Sequence, residues 1–322
     1  MISRDDVVCA YRLFFDREPE SEAVVAHYAA EVSTLRALSE LFLNSSEFRQ
    51  NYEAAMPPRP PRVPFNGPPM QVEMGATPEQ LTALFAKIGA QWEHLGQTEP
   101  HWSVLTNESY FQQNFQMNRE AFYASGESEL QMFDATLARA GVNRSGLQRC
   151  VELGCGVGRV TIGLAARFEQ VLGMDVSAAH LEVAQAHVQG LGLTNLRLSH
   201  LQAIGDVATL APYDVLYSRM VLQHNPPPVA ARLLRDLLAG LRPGGVAFLQ
   251  LPTYRAGYRF ALAEYLRQQN TTEMEMHYLP QAALLDLLAE QGCRVLELRE
   301  DDAIGLSVIA VSNTLLVQKV AP

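Results

Sequence analysis

Apolar residues recur at helical spacing through the first fifty positions. Val7, Tyr11, Phe14 and Phe15 fall at i, i+4, i+7 and i+8, which places them on one helix face. Val24, Val25, Tyr28 and Val32 repeat the pattern. Leu35, Leu38, Leu41 and Phe42 form a third stripe behind Ser33, a residue type suited to an N-cap. Arg17-Glu18-Pro19 separates the first two helices, because proline disfavours the helical conformation in the residue before it. Ser45-Ser46-Glu47-Phe48 reads as a capped final turn. Residues 1–55 are expected to form a small all-helical domain.

The run MPPRPPRVPFNGPP, residues 56–69, is half proline. It cannot form a helix interior or a central strand, and residues 56–76 read as an extended, semi-rigid linker. Its P-x-x-P spacing suits a polyproline-binding partner only as a secondary reading. A helix restarts at Thr77-Pro78-Glu79-Gln80, with Thr77 as N-cap, Pro78 at the first helical position and Gln80 completing a capping box. Leu81, Leu84, Phe85 and Ile88 supply its apolar face. The aromatic-rich stretch 101–123 is expected to pack as core. Residues 77–148 thus read as a helical cap that leads into residues 149–322.

From residue 149 the pattern becomes alternating strand and helix. Short apolar runs at Cys150–Leu153, Val171–Met174, Asn195–Leu198, Tyr213–Ser218 and Val246–Leu251 have the continuous hydrophobicity of strands buried on both faces. Helical stretches at Gly158–Phe168, Ser177–Gln189 and Pro228–Leu241 separate them. A helix (Pro280–Gln291), a strand (Arg294–Leu298) and a last strand (Leu306–Val317) complete the series. Arg242-Pro243-Gly244-Gly245 reads as a turn. This rhythm predicts an α/β fold, a Rossmann-like sheet with helices on both faces, over residues 149–322.

Composition narrows the class. The 322 residues carry a net charge of −10, which argues against nucleic acid as the main partner, since phosphate contacts need clustered Lys and Arg. No apolar run reaches the length of a membrane span. The first twenty residues lack the pattern of a secretory signal, so a cytoplasmic location is expected. On that reading, the four Asn-x-Ser/Thr matches, at Asn44, Asn107, Asn143 and Asn270, are coincidental. Cys9, Cys150, Cys155 and Cys293 form no zinc-type spacing and read as free thiols.

The sharpest chemical signal is Val151-Glu152-Leu153-Gly154-Cys155-Gly156-Val157-Gly158-Arg159, a strand running through a glycine-rich turn into a helix. Glycines let a ligand lie against bare backbone at the carboxyl edge of an open sheet. Arg159 stands where a dinucleotide fingerprint needs its third glycine, and no Gly-Lys-Ser/Thr is present after it, so nicotinamide, flavin and Walker-type nucleotide sites are disfavoured. Asp175, at the end of the second strand, is placed to accept hydrogen bonds from a ribose diol.

Taken together, VELGCGVGRVT, VLGMDVS, YDVLYSRMVLQH and LRPGGVAFLQ resemble the class I S-adenosylmethionine-dependent methyltransferases over about 149–318. The resemblance implies a seven-stranded sheet with the last strand antiparallel. It implies S-adenosyl-L-methionine as donor and S-adenosyl-L-homocysteine as product. Gly154, Cys155, Gly156 and Gly158 would flank the donor, and Glu152 would meet its amino group. Asp175 would take the ribose hydroxyls, Leu201 and Gln202 would cover the adenine, and Val176 and Ser218 would be further donor-binding residues. Residues 1–55, through Tyr11, Arg17-Glu18-Pro19 and Ser45-Ser46-Glu47-Phe48, are similar to a small helical domain of bacterial glycan-assembly proteins.

Methyl transfer needs alignment and exclusion of water, and a hydroxyl acceptor benefits from a general base. His224 is placed at the sheet edge by its position after the fourth strand; a structural anchor is the competing reading. His277 is a second candidate base. Arg219, Tyr254, Tyr258 and Tyr278 are candidates for acceptor contacts. No metal is expected. The helical domain points to a sugar hydroxyl as acceptor and to oligomer or glycan-assembly contacts. An N- or C-methyltransferase of small molecules and a non-catalytic donor-binding module remain alternatives. A nucleic-acid methyltransferase is disfavoured, because Pro228 replaces the aromatic that would stack a base after Asn225-Pro226-Pro227.

Overall fold

The computed structural model describes residues 2–48, 66–269, 272–305 and 309–320. The chain divides into two units, Met1–Pro61 and Arg62–Pro322. Most of the proline-rich linker lies outside the described residues.

The first unit holds α1 (Arg4–Phe15), α2 (Glu22–Glu31) and α3 (Leu35–Leu43). Each start is a side-chain cap. Ser3 forms a capping box with Asp6, Ser21 accepts from the Val24 N–H, and Thr34 accepts from the Ala37 N–H. The cap of α3 is therefore Thr34 and not Ser33, because Thr34 is the extended residue directly before the first helical turn. Val7, Tyr11, Phe15, Val25, Leu38 and Phe42 make the core of this unit. Leu35 and Leu41 flank that face and stay 56% and 52% exposed. The Ser45 hydroxyl donates to the Phe42 carbonyl and accepts from the Phe48 N–H, and residues 46–48 are helical, so this serine closes α3 and caps the turn that follows, as expected.

In the second unit α4 (Pro78–Thr98) begins with the Thr77–Gln80 capping box and Pro78 in the first turn. The long α5 (Gln112–Arg139) comes next. A two-residue β1 (Gln71–Val72) pairs in parallel with β7 (Arg259–Phe260). The main sheet contains β2 (Arg149–Leu153), β3 (Gln170–Asp175), β4 (Leu196–His200), β5 (Tyr213–Ser218), β6 (Leu241–Arg255), β8 (Cys293–Asp301) and β9 (Ala310–Lys319). Their order is β4-β3-β2-β5-β6-β9-β8, and β9 runs antiparallel to both its neighbours. Order reverses between β3-β2 and β5, which opens a crevice at the carboxyl ends of the strands.

Helices cover both faces. On one, α4, α8 (Pro227–Gly240) and α10 (Gln281–Glu290) bury Leu84, Phe85, Leu234 and Leu287 against Leu216 and Leu249. On the other, α5, the short α6 (Thr161–Ala165) and α7 (Ala178–Gly190) bury Leu130, Phe133, Leu164 and Val188 against Val215 and Phe248. Each such side chain contributes about 1.5–3 kcal/mol on burial. A six-residue α9 (Leu262–Arg267) lies between β7 and α10. Two boundaries differ from expectation. The helix after the glycine loop starts late, because Gly158 is still in the turn and its N–H donates to the Cys155 carbonyl. Arg242–Gly245 is a bulge inside β6, since Leu241 already pairs with Tyr213 before pairing resumes at Val215 and Val246. The expected start of the last strand, residues 306–308, lies outside the described residues.

Candidate donor and acceptor cavity

The loop leaving β2 is drawn onto the end of β3. Gly154 and Cys155 both donate their N–H to the Met174 carbonyl, at 2.7 and 3.0 Å. This fold-back needs positive φ, +74° at Gly154 and +51° at Gly156. A Cβ on Gly154 would lie 2.3 Å from Val221, and one on Gly156 2.7 Å from Val104. Asp175 ends β3 with both carboxylate oxygens engaged: Gly156 donates to one at 2.8 Å and Ser177 to the other at 2.9 Å.

These elements bound a cavity of about 250 Å³. Of the residues named from sequence, Glu152, Gly154, Cys155, Gly156, Asp175, Val176, Leu201, Arg219 and His224 line it. Trp92 and Val104 close it from the helical lead-in, Met274 to Met276 from a strap, and Ala303 and Ile304 from the loop after β8.

Its polar floor is unusual. Glu129 of α5 is shared by two cations, pairing with Arg219 and, at 3.3 Å, with Arg159. Beside them, one oxygen of Glu152 and the hydroxyl of Tyr217 are buried without a hydrogen-bond partner among the described residues. Burial pushes the Glu152 carboxyl up to about 8, so it is mostly protonated at neutral pH. Unpartnered buried polar atoms carry a cost on the order of 1–3 kcal/mol each, which a polar ligand relieves.

His224 faces this cavity. Its Nδ1 is 2.8 Å from the Glu275 carbonyl oxygen, so Nδ1 carries the proton, and the Nε2 lone pair faces the Gln223 side-chain amide nitrogen at 3.3 Å. Burial lowers its pKa to about 4, and the ring is neutral at pH 7. The Trp92 ring lies edge-on at 5.0 Å.

Seven of the sequence candidates do not line the cavity. Gly158 closes the turn behind the loop. Ser218 donates to the Leu153 carbonyl at 3.3 Å beneath the floor. Gln202 is exposed, because Asp206 accepts its N–H and that of Ala203 and turns the segment outward. Tyr254 reaches away and donates to the Pro68 carbonyl. Tyr258 bonds to His277 Nδ1 at 2.9 Å. Tyr278 is fully buried, with Arg255 over its ring. His277 is itself buried, among Tyr258, Phe260 and Tyr265; its aromatic neighbours, not the cavity, enclose it.

Sequence reasoning missed Glu129, Trp92 and the 274–276 strap. Trp92 continues the apolar stripe of α4 after Ile88, and that periodicity is a signal for it. Glu129 carries none, because its partners come from other elements. Among the described residues no three metal-ligating side chains gather, and no helix is long and apolar enough to cross a membrane.

Residues 119–298 match a family described as a methyltransferase domain. The chain is 46% identical over 105 residues to a trans-aconitate 2-methyltransferase of Deinococcus radiodurans, covering 32% of this chain and 37% of that protein. It is 30% identical over 159 residues to a ubiquinone biosynthesis O-methyltransferase of Marinobacter nauticus, covering 47% and 66%. It therefore spans between about a third and two thirds of the length of these curated relatives. A magnesium protoporphyrin IX methyltransferase of Synechocystis PCC 6803, solved with S-adenosylmethionine bound, shares the fold at a TM-score of 0.50 and 17% identity, covering 73% of this chain and 97% of that one.

Proposed function

The chain belongs to the methyltransferase-domain family, with the class I fold, and from that premise we propose that it methylates an oxygen of a small organic acceptor with S-adenosylmethionine as donor. The observation that carries this reading is the meeting of three features in one cavity: the side-chain-free edge at Gly154 and Gly156, the Asp175 carboxylate and the unpartnered Glu152 oxygen.

The residues fit that donor. Bare backbone at Gly154–Gly156 lets a thioether-sized group approach closely. Asp175 accepts from the ribose hydroxyls, and Leu201 and Val176 supply an apolar seat for the base. Arg159, Glu129 and Glu152 offer a charge pattern that complements an α-amino acid end. When bound, the donor supplies an electrophilic methyl on a sulfonium. Trp92, Met274 and Met276 keep water out, and this matters because the reaction depends on alignment. His224 Nε2 accepts the proton of an incoming hydroxyl, and Arg219 orients the acceptor.

Calorimetry with S-adenosylhomocysteine tests the donor assignment. Binding at micromolar concentration is expected, and a folded protein that binds neither it nor the donor would overturn the reading. Acceptors are then compared with labelled donor across polycarboxylates, phenols and nucleotide-linked sugars. The first two classes are suggested by the trans-aconitate and ubiquinone relatives. A sugar hydroxyl is supported by the N-terminal unit's resemblance to glycan-assembly domains.

A further inference from the structure

His224 is held by a strap that is itself neither helix nor strand. Residues 274–280 have no regular structure, yet the Glu275 carbonyl must stay 2.8 Å from His224 Nδ1 to fix the tautomer. Two side chains anchor that residue. The Tyr265 hydroxyl donates to the Glu275 carboxylate, and His277 Nε2 lies 3.6 Å from it. His277 is in turn held by the Tyr258 hydroxyl at 2.9 Å on Nδ1, and its backbone N–H donates to the Gln223 carbonyl at 2.6 Å. The strap is thus tied to the residue beside His224. On its other flank, Gln91 of α4 donates to the Glu273 carbonyl. Lys87 donates to the carbonyls of Tyr265 and Gln268.

We infer that the Glu275 side chain, held by Tyr265 with His277 beside it, is a positioning device: it sets the main-chain carbonyl that fixes the Nδ1–H tautomer of His224 and leaves Nε2 as an acceptor, 3.3 Å from the Gln223 side-chain amide nitrogen. His277, a candidate base by sequence, is a positioning residue in this arrangement. A carboxylate buttressing an imidazole through its own backbone differs from direct carboxylate–histidine contact. The charge stays off the imidazole, so the ring remains neutral, while its orientation is still specified. Burial works to raise the Glu275 carboxyl, but the His277 imidazole 3.6 Å away and the hydrogen bond from Tyr265 outweigh it and hold the group below its usual range. The clamp is therefore ionised at neutral pH. The consequence for turnover rests on the methyl-transfer reading; the tautomer itself does not.

The test is ¹⁵N-histidine NMR of the full chain at pH 7, with the His224 signals assigned by their loss in His224→Ala. The wild type should show a protonated Nδ1 and an unprotonated Nε2. Glu275→Ala keeps the carbonyl but removes its anchor. Both nitrogens should then move toward a tautomer average, with at least a tenfold loss of turnover and S-adenosylhomocysteine affinity within threefold. Glu275→Gln, which still accepts from Tyr265, should restore the wild-type tautomer. A Glu275→Ala protein whose His224 stays fully Nδ1-protonated would overturn the inference. If that variant does not fold, Tyr265→Phe is read by the same two outcomes. Failure of S-adenosylhomocysteine to bind the wild type would instead count against the donor assignment and leave the tautomer result standing.

Discussion

The Gly156 N–H donates to one carboxylate oxygen of Asp175 at 2.8 Å, across the gap between the first glycine turn and the end of β3. The same carboxylate accepts the Ser177 N–H at 2.9 Å. One side chain therefore shapes the loop and starts the next helix while facing the cavity. Hydrogen bonds to a charged group are worth about 1.5–3 kcal/mol. Asp175→Ala is expected to weaken S-adenosylhomocysteine binding by about 10–100-fold and to lower stability as well. Asp175→Asn should retain part of the stability and little of the affinity. Calorimetry and urea titration together check this; unchanged affinity in a folded Asp175→Ala protein would contradict it.

Gly154 and Val221 test the loop by packing alone. A Cβ at Gly154 would meet Val221 Cγ2 at 2.3 Å, and the residue sits at φ +74°. Overpacking costs about 1–3 kcal/mol and the left-handed conformation about 1–2 kcal/mol. Gly154→Ala should therefore lose about 2–5 kcal/mol in urea unfolding. Adding Val221→Ala removes the two Cγ clashes but keeps a Cβ 2.9 Å away and the backbone cost, so the pair should recover part of the loss but not all.

Glu152 links stability to pH. Its carboxyl is raised by burial from 4.5 to about 8. A raised folded-state pKa gives stability that is fully present below the unfolded value and is lost as pH rises through the folded one. Free of ligand, the protein should lose on the order of a few kcal/mol between pH 4.5 and 8 from this group, and Glu152→Gln should flatten that slope. An ammonium group arriving beside Glu152 favours the carboxylate. Donor binding at pH 7 should then release a proton, seen as a dependence of the binding enthalpy on the buffer's ionisation enthalpy.

Much of this architecture is legible in the chain because strands buried on both faces read as apolar runs. Val171–Met174 and Tyr213–Ser218 need no partner to be recognised. The glycine loop and Asp175 are legible for a similar reason, since backbone geometry restricts the residue types allowed there. Side chains chosen by tertiary contact are not. Tyr258, Tyr278 and His277 have the chemistry of a binding surface, yet Tyr258 packs against His277 and Tyr278 of the strap itself. Leu201 and Gln202 are adjacent in sequence but face opposite ways, because Asp206 caps the turn after β4. The sharing of Glu129 by Arg159 and Arg219 joins three elements distant in sequence, and no local pattern encodes it.

His224 makes the last prediction. Burial lowers its pKa to about 4 from 6.5. For a base this means the neutral ring is favoured in the fold: the stability tied to it is present above pH 6.5 and is lost as pH falls toward 4. The same sign governs catalysis. If Nε2 takes the acceptor's proton, turnover should be level from about pH 6 upward with respect to this group and should fall only as pH approaches its folded-state pKa of about 4. His224→Ala should lose about 10²–10⁴-fold in turnover and keep its affinity for S-adenosylhomocysteine. A rate controlled by a group titrating near 6.5 and abolished in this variant would show that the ring is solvated during turnover. An unchanged rate in His224→Ala would leave the histidine only its place beside Trp92 and the strap.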